Sequence, residues 1–169
     1  MKPVTTWRYT SMRMIGVISL SVILGWTVFV YSGPMAKDGV IAERKELMKN
    51  TSGNFKDARD KAKTKAFARI AVNAQTLAIN ARHIPALFPA GSQGMAEDKS
   101  RAKPEIWQDW EGYLAASQQF QDAATKLYTL TKDADKTGVG GAEVDAAIKA
   151  IGGACKNCHD KFRVPKKES

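Results

Sequence analysis

The residues with the clearest potential for chemistry lie near the C-terminus, in the run Cys155-Lys156-Asn157-Cys158-His159. Residues three and four apart share one face of a helix, so a single turn can present both thiols and the imidazole to the same object. Cys-x-x-Cys-His is the attachment sequence of c-type haem, in which the thiols form thioethers and the histidine binds iron. The run therefore predicts one covalently attached haem c, held by Cys155, Cys158 and His159.

Three other roles for a Cys-x-x-Cys pair fit the rest of the sequence less well. A thioredoxin-like redox pair requires a βαβ context, and no strand-like alternation is present. A disulfide between residues three apart on a helix would be strained. A structural zinc ion would require a fourth ligand, for which His83 is the obvious candidate. Because no catalytic acid or base accompanies the cysteine-bearing face, we predict that the protein is not an enzyme.

The elements that must position these residues are predicted to be α-helices. From about Asp38 onward, apolar residues recur every three or four positions, which indicates an all-α domain. The first helix is expected to run towards Lys65, with a break or kink at residues 50–54, where Asn, Thr, Ser and Gly cluster. The second is expected to begin near Phe67 and to end before Pro85.

The second half of the domain is predicted to contain a long connection and two further helices. Residues 84–103 hold two prolines and two glycines, so they should form the connection and cover a cofactor or bind a partner. Pro104 suits the first turn of the third helix. The fourth helix should carry the cysteines and histidine on its core face and end before Pro165. Four helices with mostly short connections favour an antiparallel four-helix bundle over residues 37–169.

Residues 1–36 form a separate N-terminal segment. Met14–Tyr31 is an almost unbroken apolar stretch of 18 residues, which is long enough to cross a bilayer. Cleavable signals usually have apolar regions of about 7–15 residues, and the best cleavage site, before Gly33, is weak. We therefore expect an uncleaved transmembrane helix in preference to a signal segment. Either one would export the remainder, to the periplasmic side of a bacterial inner membrane or, after cleavage, to the soluble periplasm.

Composition and charge restrict the functional classes. The chain is 44% hydrophobic and 25% charged, which excludes a disordered protein. Its formal net charge is +9, but no nucleic-acid-binding motif is present, so we predict no nucleic-acid partner. A basic surface suits acidic protein partners instead.

A single Cys-x-x-Cys-His at the end of a four-helix chain resembles the class II c-type cytochromes, meaning cytochrome c prime and its low-spin relatives. The likeness covers about Val40 to Arg163 and includes RKELMK, HIPALFP, KPEIWQDW and CKNCHDKFR. It implies that Arg44 pairs with a haem propionate. It also implies that Met48 faces the iron on the side opposite His159, as a second axial ligand.

The resemblance implies two alternative functions. With His159 and Met48 as axial ligands, the protein would be a low-spin electron carrier for redox protein partners of the respiratory chain or periplasm. If Met48 only shields the iron, the protein would be a high-spin cytochrome c prime that binds nitric oxide or another diatomic gas. The sequence leaves open whether two copies form a homodimer.

Overall fold

The computed structural model describes residues 37–94 and 100–165. Within these ranges the chain forms six α-helices and one short 3-10 turn. They are α1 (Lys37–Ala62), α2 (Phe67–His83), the turn Pro85–Leu87, α3 (Glu105–Gln108), α4 (Trp110–Thr131), α5 (Ala134–Thr137) and α6 (Gly141–Phe162). The predicted transmembrane or signal helix lies outside the described residues. None of the helices inside them is long and apolar enough to span a bilayer.

The four long helices form the predicted bundle around one core. Helix α2 packs against α1 and α4, and α4 packs against α6. The core includes deeply buried pairs seven residues, or two helical turns, apart: Ile70 and Leu77 on α2 are fully buried, and so is Ile151 on α6, with Val144 almost so. The prediction of an all-α bundle is thus confirmed for the described part of the chain.

Helix α1 is continuous where the sequence analysis expected a break or kink. Residues 50–54 are helical throughout. The polar side chains that weaken helix propensity there find hydrogen-bond partners. Thr51 Oγ1 donates to Leu47 O at 2.8 Å, and Asn80 Nδ2 on α2 donates to Asn50 Oδ1 at 2.8 Å and to Thr51 Oγ1 at 3.1 Å. Contact with α2 therefore overrides the weak local propensity.

The predicted third helix is divided into α3 and α4. Asp109 separates them with φ of −123° and ψ of 63°, and its side chain accepts a hydrogen bond from Gly112 N at 3.0 Å. This is an N-cap interaction, which satisfies one of the unpaired amides at the start of α4. The helical spacing of the apolar residues continues across the break, so periodicity alone could not locate it.

The end of the long connection is fixed to the end of α6. Lys103 N donates to Phe162 O at 3.0 Å, and Val164 N donates to Arg101 O at 2.8 Å, as in a short antiparallel bridge. The Lys103 ammonium also donates to Asp160 O at 3.0 Å, near the negative end of the helix dipole. The connection and the last turn of α6 therefore hold each other in place.

Candidate cofactor site

A cavity of about 590 Å³ lies between α1 and α6, within the size range of cofactor sites. All five residues predicted for the site line it: Arg44 and Met48 on α1, and Cys155, Cys158 and His159 on α6. Residues of α3, α4 and both ends of the long connection complete its wall. The expectation that this connection contributes to a cofactor site is therefore supported by the geometry.

The α6 wall presents two thiols and one imidazole. Cys155 and Cys158 are free and half-buried, and burial raises the pKa of Cys158 to about 11. Burial, together with the nearby charges of Arg163 and Arg101, lowers the pKa of His159 to about 4. The imidazole is therefore neutral near pH 7, which is the form that can donate a lone pair to a metal.

Helix α6 approaches α1 closely one turn before the cysteines. A Cβ atom placed on Gly152 would lie 3.4 Å from Cζ of Phe55, whose ring lines the cavity. A methyl group at position 152 would therefore make an ordinary van der Waals contact with this ring, so the packing accommodates Gly152 without requiring it.

The α1 wall presents the Met48 thioether one helical turn beyond Arg44. Met48 is half-buried and packs against the core, with its side chain on the cavity. A thioether is a soft donor that can ligate haem iron. Met48 belongs to α1 and His159 to α6, so the thioether and the imidazole reach the cavity from different helices.

Arg44 is the most elaborately bound residue of the site. Only 6% exposed, it donates from Nε and Nη2 to Leu87 O at 3.0 and 2.9 Å, and from Nη2 to the Ser92 carbonyl and hydroxyl at 3.0 and 2.9 Å. Its Cζ lies 3.9 Å from the centroid of the Phe88 ring. Its Nη1, although buried, has no hydrogen-bond partner. The guanidinium is thus fixed by the long connection, while one of its buried donor nitrogens has no hydrogen-bond partner.

Tyr113 on α4 is a cavity residue that the sequence analysis did not identify. It is 2% exposed, and its hydroxyl is buried without a hydrogen-bond partner. Burial holds the pKa of this phenol well above its ordinary value, so the hydroxyl keeps its proton. Tyr113 occupies an apolar position of an amphipathic helix, where its ring resembles ordinary core packing. Nothing in the sequence indicated that this side chain lines a cavity.

The cavity wall is strongly cationic. Besides Arg44 it includes Lys45 and Lys49 on α1, Arg101 on the connection and Arg163 after α6, and no Asp or Glu among the described lining residues. Arg163 follows His159 by one helical turn, a spacing that could have identified it. Arg101 lies in an irregular segment, and only the bridge to the end of α6 brings it here, so the sequence carried no signal for it.

The alternatives to haem find no support in this geometry. His83 is exposed at the end of α2 and does not line the cavity, so it does not join the cysteines in a zinc site. Across residues 37–94 and 100–165, no group of three His, Cys, Asp or Glu side chains could hold a metal ion. A large, mostly apolar cavity with two thiols, a neutral imidazole, a thioether and buried donors instead fits haem c, a flat apolar ring with a metal centre and two carboxylates.

Comparison with known proteins gives one consistent result. The family model described as Cytochrome C' matches residues 39–163. Cytochrome c' of Rhodospirillum rubrum is 33% identical over 153 residues, which cover 89% of this chain and 97% of that protein. Cytochrome c-556 of Agrobacterium fabrum is 31% identical over 139 residues, covering 80% of this chain and 88% of its own length.

Solved structures agree on the fold. The crystal structure of cytochrome c' from Rubrivivax gelatinosus has a TM-score of 0.65 and 27% sequence identity, covering 76% of this chain and 97% of that one. A ferrous variant of cytochrome c prime from Alcaligenes xylosoxidans with bound NO has a TM-score of 0.66 and 25% identity. That match covers 79% of this chain and all of the other.

Haem attachment through both cysteines predicts that the haem stays with the polypeptide after denaturation and acid-organic extraction. Replacing Cys155 or Cys158 with alanine should leave one thioether, seen as an altered pyridine haemochrome spectrum, and replacing both should make the haem extractable. His83→Ala, which changes a histidine away from the cavity, is the control and should change nothing. Haem that leaves the unaltered protein on extraction would contradict the assignment.

Proposed function

The chain belongs to the cytochrome c' family and carries one covalently attached haem c, and from this premise we propose that it transfers single electrons outside the cytoplasm. Haem iron supplies reversible one-electron oxidation and reduction. The observation that carries the proposal is that the Met48 thioether and the His159 imidazole line one cavity from two different helices. Two protein ligands leave no open coordination site, which suits a carrier and not a catalyst.

The protein residues each contribute a distinct part of this function. Cys155 and Cys158 fix the macrocycle to α6, and His159 supplies a neutral nitrogen ligand from the same turn. Met48 supplies a sulfur ligand, a pairing that raises the reduction potential. Arg44, held by the long connection, places a positive charge in the cavity wall, and such a charge favours the reduced iron because that state carries one less positive charge.

Gas binding is the second candidate function. Two similar structures, both of cytochrome c prime from Alcaligenes xylosoxidans, hold bound nitric oxide. This supports gas binding as the alternative function of this chain. In that case Met48 would shield one face of the haem without ligating it, and the iron would be five-coordinate. The two functions differ in a single bond, so one substitution at Met48 separates them.

Ligation by Met48 predicts a weak near-infrared sulfur-to-iron band in the ferric protein, sharp low-spin bands in the reduced protein and no rapid binding of carbon monoxide. Met48→Ala should abolish the near-infrared band, admit carbon monoxide and lower the reduction potential. Leu47→Ala is the matched control, because Leu47 is a partly buried neighbour on α1 that does not line the cavity. An unaltered protein that is high-spin and binds carbon monoxide readily would support gas binding instead.

The cationic wall of the cavity motivates a proposal about the redox partner. Lys45, Lys49 and Arg101 are exposed where they line the cavity, and Arg163 is partly exposed. Lys49 pairs with Glu46 at 3.6 Å, and haem c contributes two carboxylates, so the three arginines Arg44, Arg101 and Arg163 supply the excess of positive charge around it. Such a field attracts anionic surfaces and speeds their association. We propose that an acidic redox protein binds at this edge of the cavity.

This docking proposal predicts that oxidation of the ferrous protein by ferricyanide, an anionic probe, slows at least about tenfold from low to high ionic strength. The double variant Lys49→Gln, Arg101→Gln should lose much of this salt dependence. The control Lys126→Gln, Lys149→Gln removes the same charge from exposed positions on α4 and α6 that do not line the cavity. Equal losses in both variants would show that net charge, and not the cavity edge, guides the encounter.

We also propose that residues 1–36 anchor the cytochrome to the periplasmic side of the membrane. The support is the uncharged stretch between Arg13 and Lys37 and the weak cleavage site before Gly33. Expressed in a bacterium that matures c-type haem, the protein should sediment with membranes and resist washing with high salt. A version with residues 1–32 replaced by a cleavable signal peptide is the control. A soluble product of the full chain that begins near Gly33 would contradict the anchor.

A further inference from the structure

We propose that the Tyr113 hydroxyl donates a hydrogen bond to a propionate carboxylate of the haem, making Tyr113 a positioning residue that acts together with Arg44. The inference rests on the proposed function in one respect, that the haem held by α6 fills the cavity between α1 and α6. It assigns a role to a residue on α4, a helix that contributes none of the residues placed at the haem so far.

The starting observation is a pair of buried donors without partners. Among buried side-chain nitrogen and oxygen atoms of the described residues, two lack any hydrogen-bond partner: Arg44 Nη1 and the Tyr113 hydroxyl. Both side chains line the same cavity. Buried polar groups without partners are rare because leaving them unpaired is costly, so each such group in a native protein calls for an explanation. A cavity occupant with acceptor atoms satisfies both at once.

The Tyr113 ring cannot turn its hydroxyl towards solvent. It is enclosed by aromatic neighbours, with centroid distances of 5.0 Å to Phe88, 5.3 Å to Phe162 and 5.5 Å to Trp110. The first two contacts are edge-on, which fixes the ring plane as well as its position. Phe88 also stacks under the Arg44 guanidinium. The two donors are thus held by one shared aromatic ring.

A carboxylate is the acceptor that best suits the two unpartnered donors. Arg44 and Tyr113 lie close together, because both side chains contact the ring of Phe88. The described lining residues include no Asp or Glu, so the protein provides no anion for these donors. The acceptors at the periphery of haem c are its two propionates. A phenol that keeps its proton and a permanently charged guanidinium are both donors, and a carboxylate can accept from both.

The role has a measurable consequence for the propionate. A hydrogen bond to the ionised form of a carboxyl group lowers its pKa, so losing one donor should weaken the acid by roughly tenfold, or about one pH unit. The ionisation of a propionate is coupled to the charge of the iron, and it therefore appears as a bend in the plot of reduction potential against pH. This coupling exists whether the iron is high-spin or low-spin, so the test is independent of ligation by Met48.

The experiment compares the haem-loaded protein with Tyr113→Phe, which removes one oxygen atom and keeps the ring. In Tyr113→Phe the bend in the plot of reduction potential against pH should move about one pH unit higher. The Raman bands of the propionate bending vibrations should also shift. The matched control is Tyr128→Phe, because Tyr128 lies on the same helix, is half-buried and does not line the cavity. This control should reproduce the unaltered protein in both measurements.

Two results would overturn the inference. One is a folded, fully loaded Tyr113→Phe protein with an unchanged bend and unchanged propionate bands. The other is a change confined to binding of carbon monoxide or nitric oxide, which would place the hydroxyl beside an axial ligand. If Tyr113→Phe does not load haem, proton NMR of the unaltered ferrous protein tests the hydrogen bond instead. A slowly exchanging hydroxyl proton with a nuclear Overhauser contact to propionate methylene protons supports the inference, and its absence contradicts it.

Discussion

The presentation of two thiols and an imidazole by one turn of α6 is the constraint on which the rest of this structure depends. Cys155, Cys158 and His159 share a face only because the chain is helical there, and that face must meet an object wide enough to contact all three. Helices α1 and α6 therefore enclose a cavity of about 590 Å³ instead of packing side by side along their full length. Met48 and Arg44 gain their importance from lying on the opposite helix.

Positive charges dominate the electrostatics of this cavity, although Asp160 opposes their effect on His159. Arg44 is buried, and Arg101 and Arg163 are near enough to lower the pKa of His159 after burial has already done so. A wall that carries cations and, among the described residues, no carboxylate favours the less positive state of a bound metal and attracts anionic groups. The same charges would thus act on the haem carboxylates inside the cavity and on the acidic partner that we propose for its edge.

Local spacing predicted the fold class and proposed Cys155, Cys158 and His159 as haem residues, whereas Arg44 and Met48 were proposed from the resemblance to class II c-type cytochromes. Helical periodicity reports which residues share a face, and Cys-x-x-Cys-His is a contiguous signature. The sequence did not predict the Asp109 break, Tyr113 or Arg101, because these depend on contacts between segments distant in the chain. The unbroken course of α1 likewise depends on Asn80, which lies 30 and 29 residues from its partners Asn50 and Thr51.

The central claim is that the iron is held between His159 and Met48, on α6 and α1. Iron K-edge X-ray absorption of the purified protein tests it most directly, because the extended fine structure counts sulfur neighbours of the metal. The account predicts one sulfur ligand together with the nitrogens of the porphyrin and imidazole, in both oxidation states, and loss of the sulfur in Met48→Ala. A first shell of five nitrogens without sulfur in the unaltered protein would contradict it.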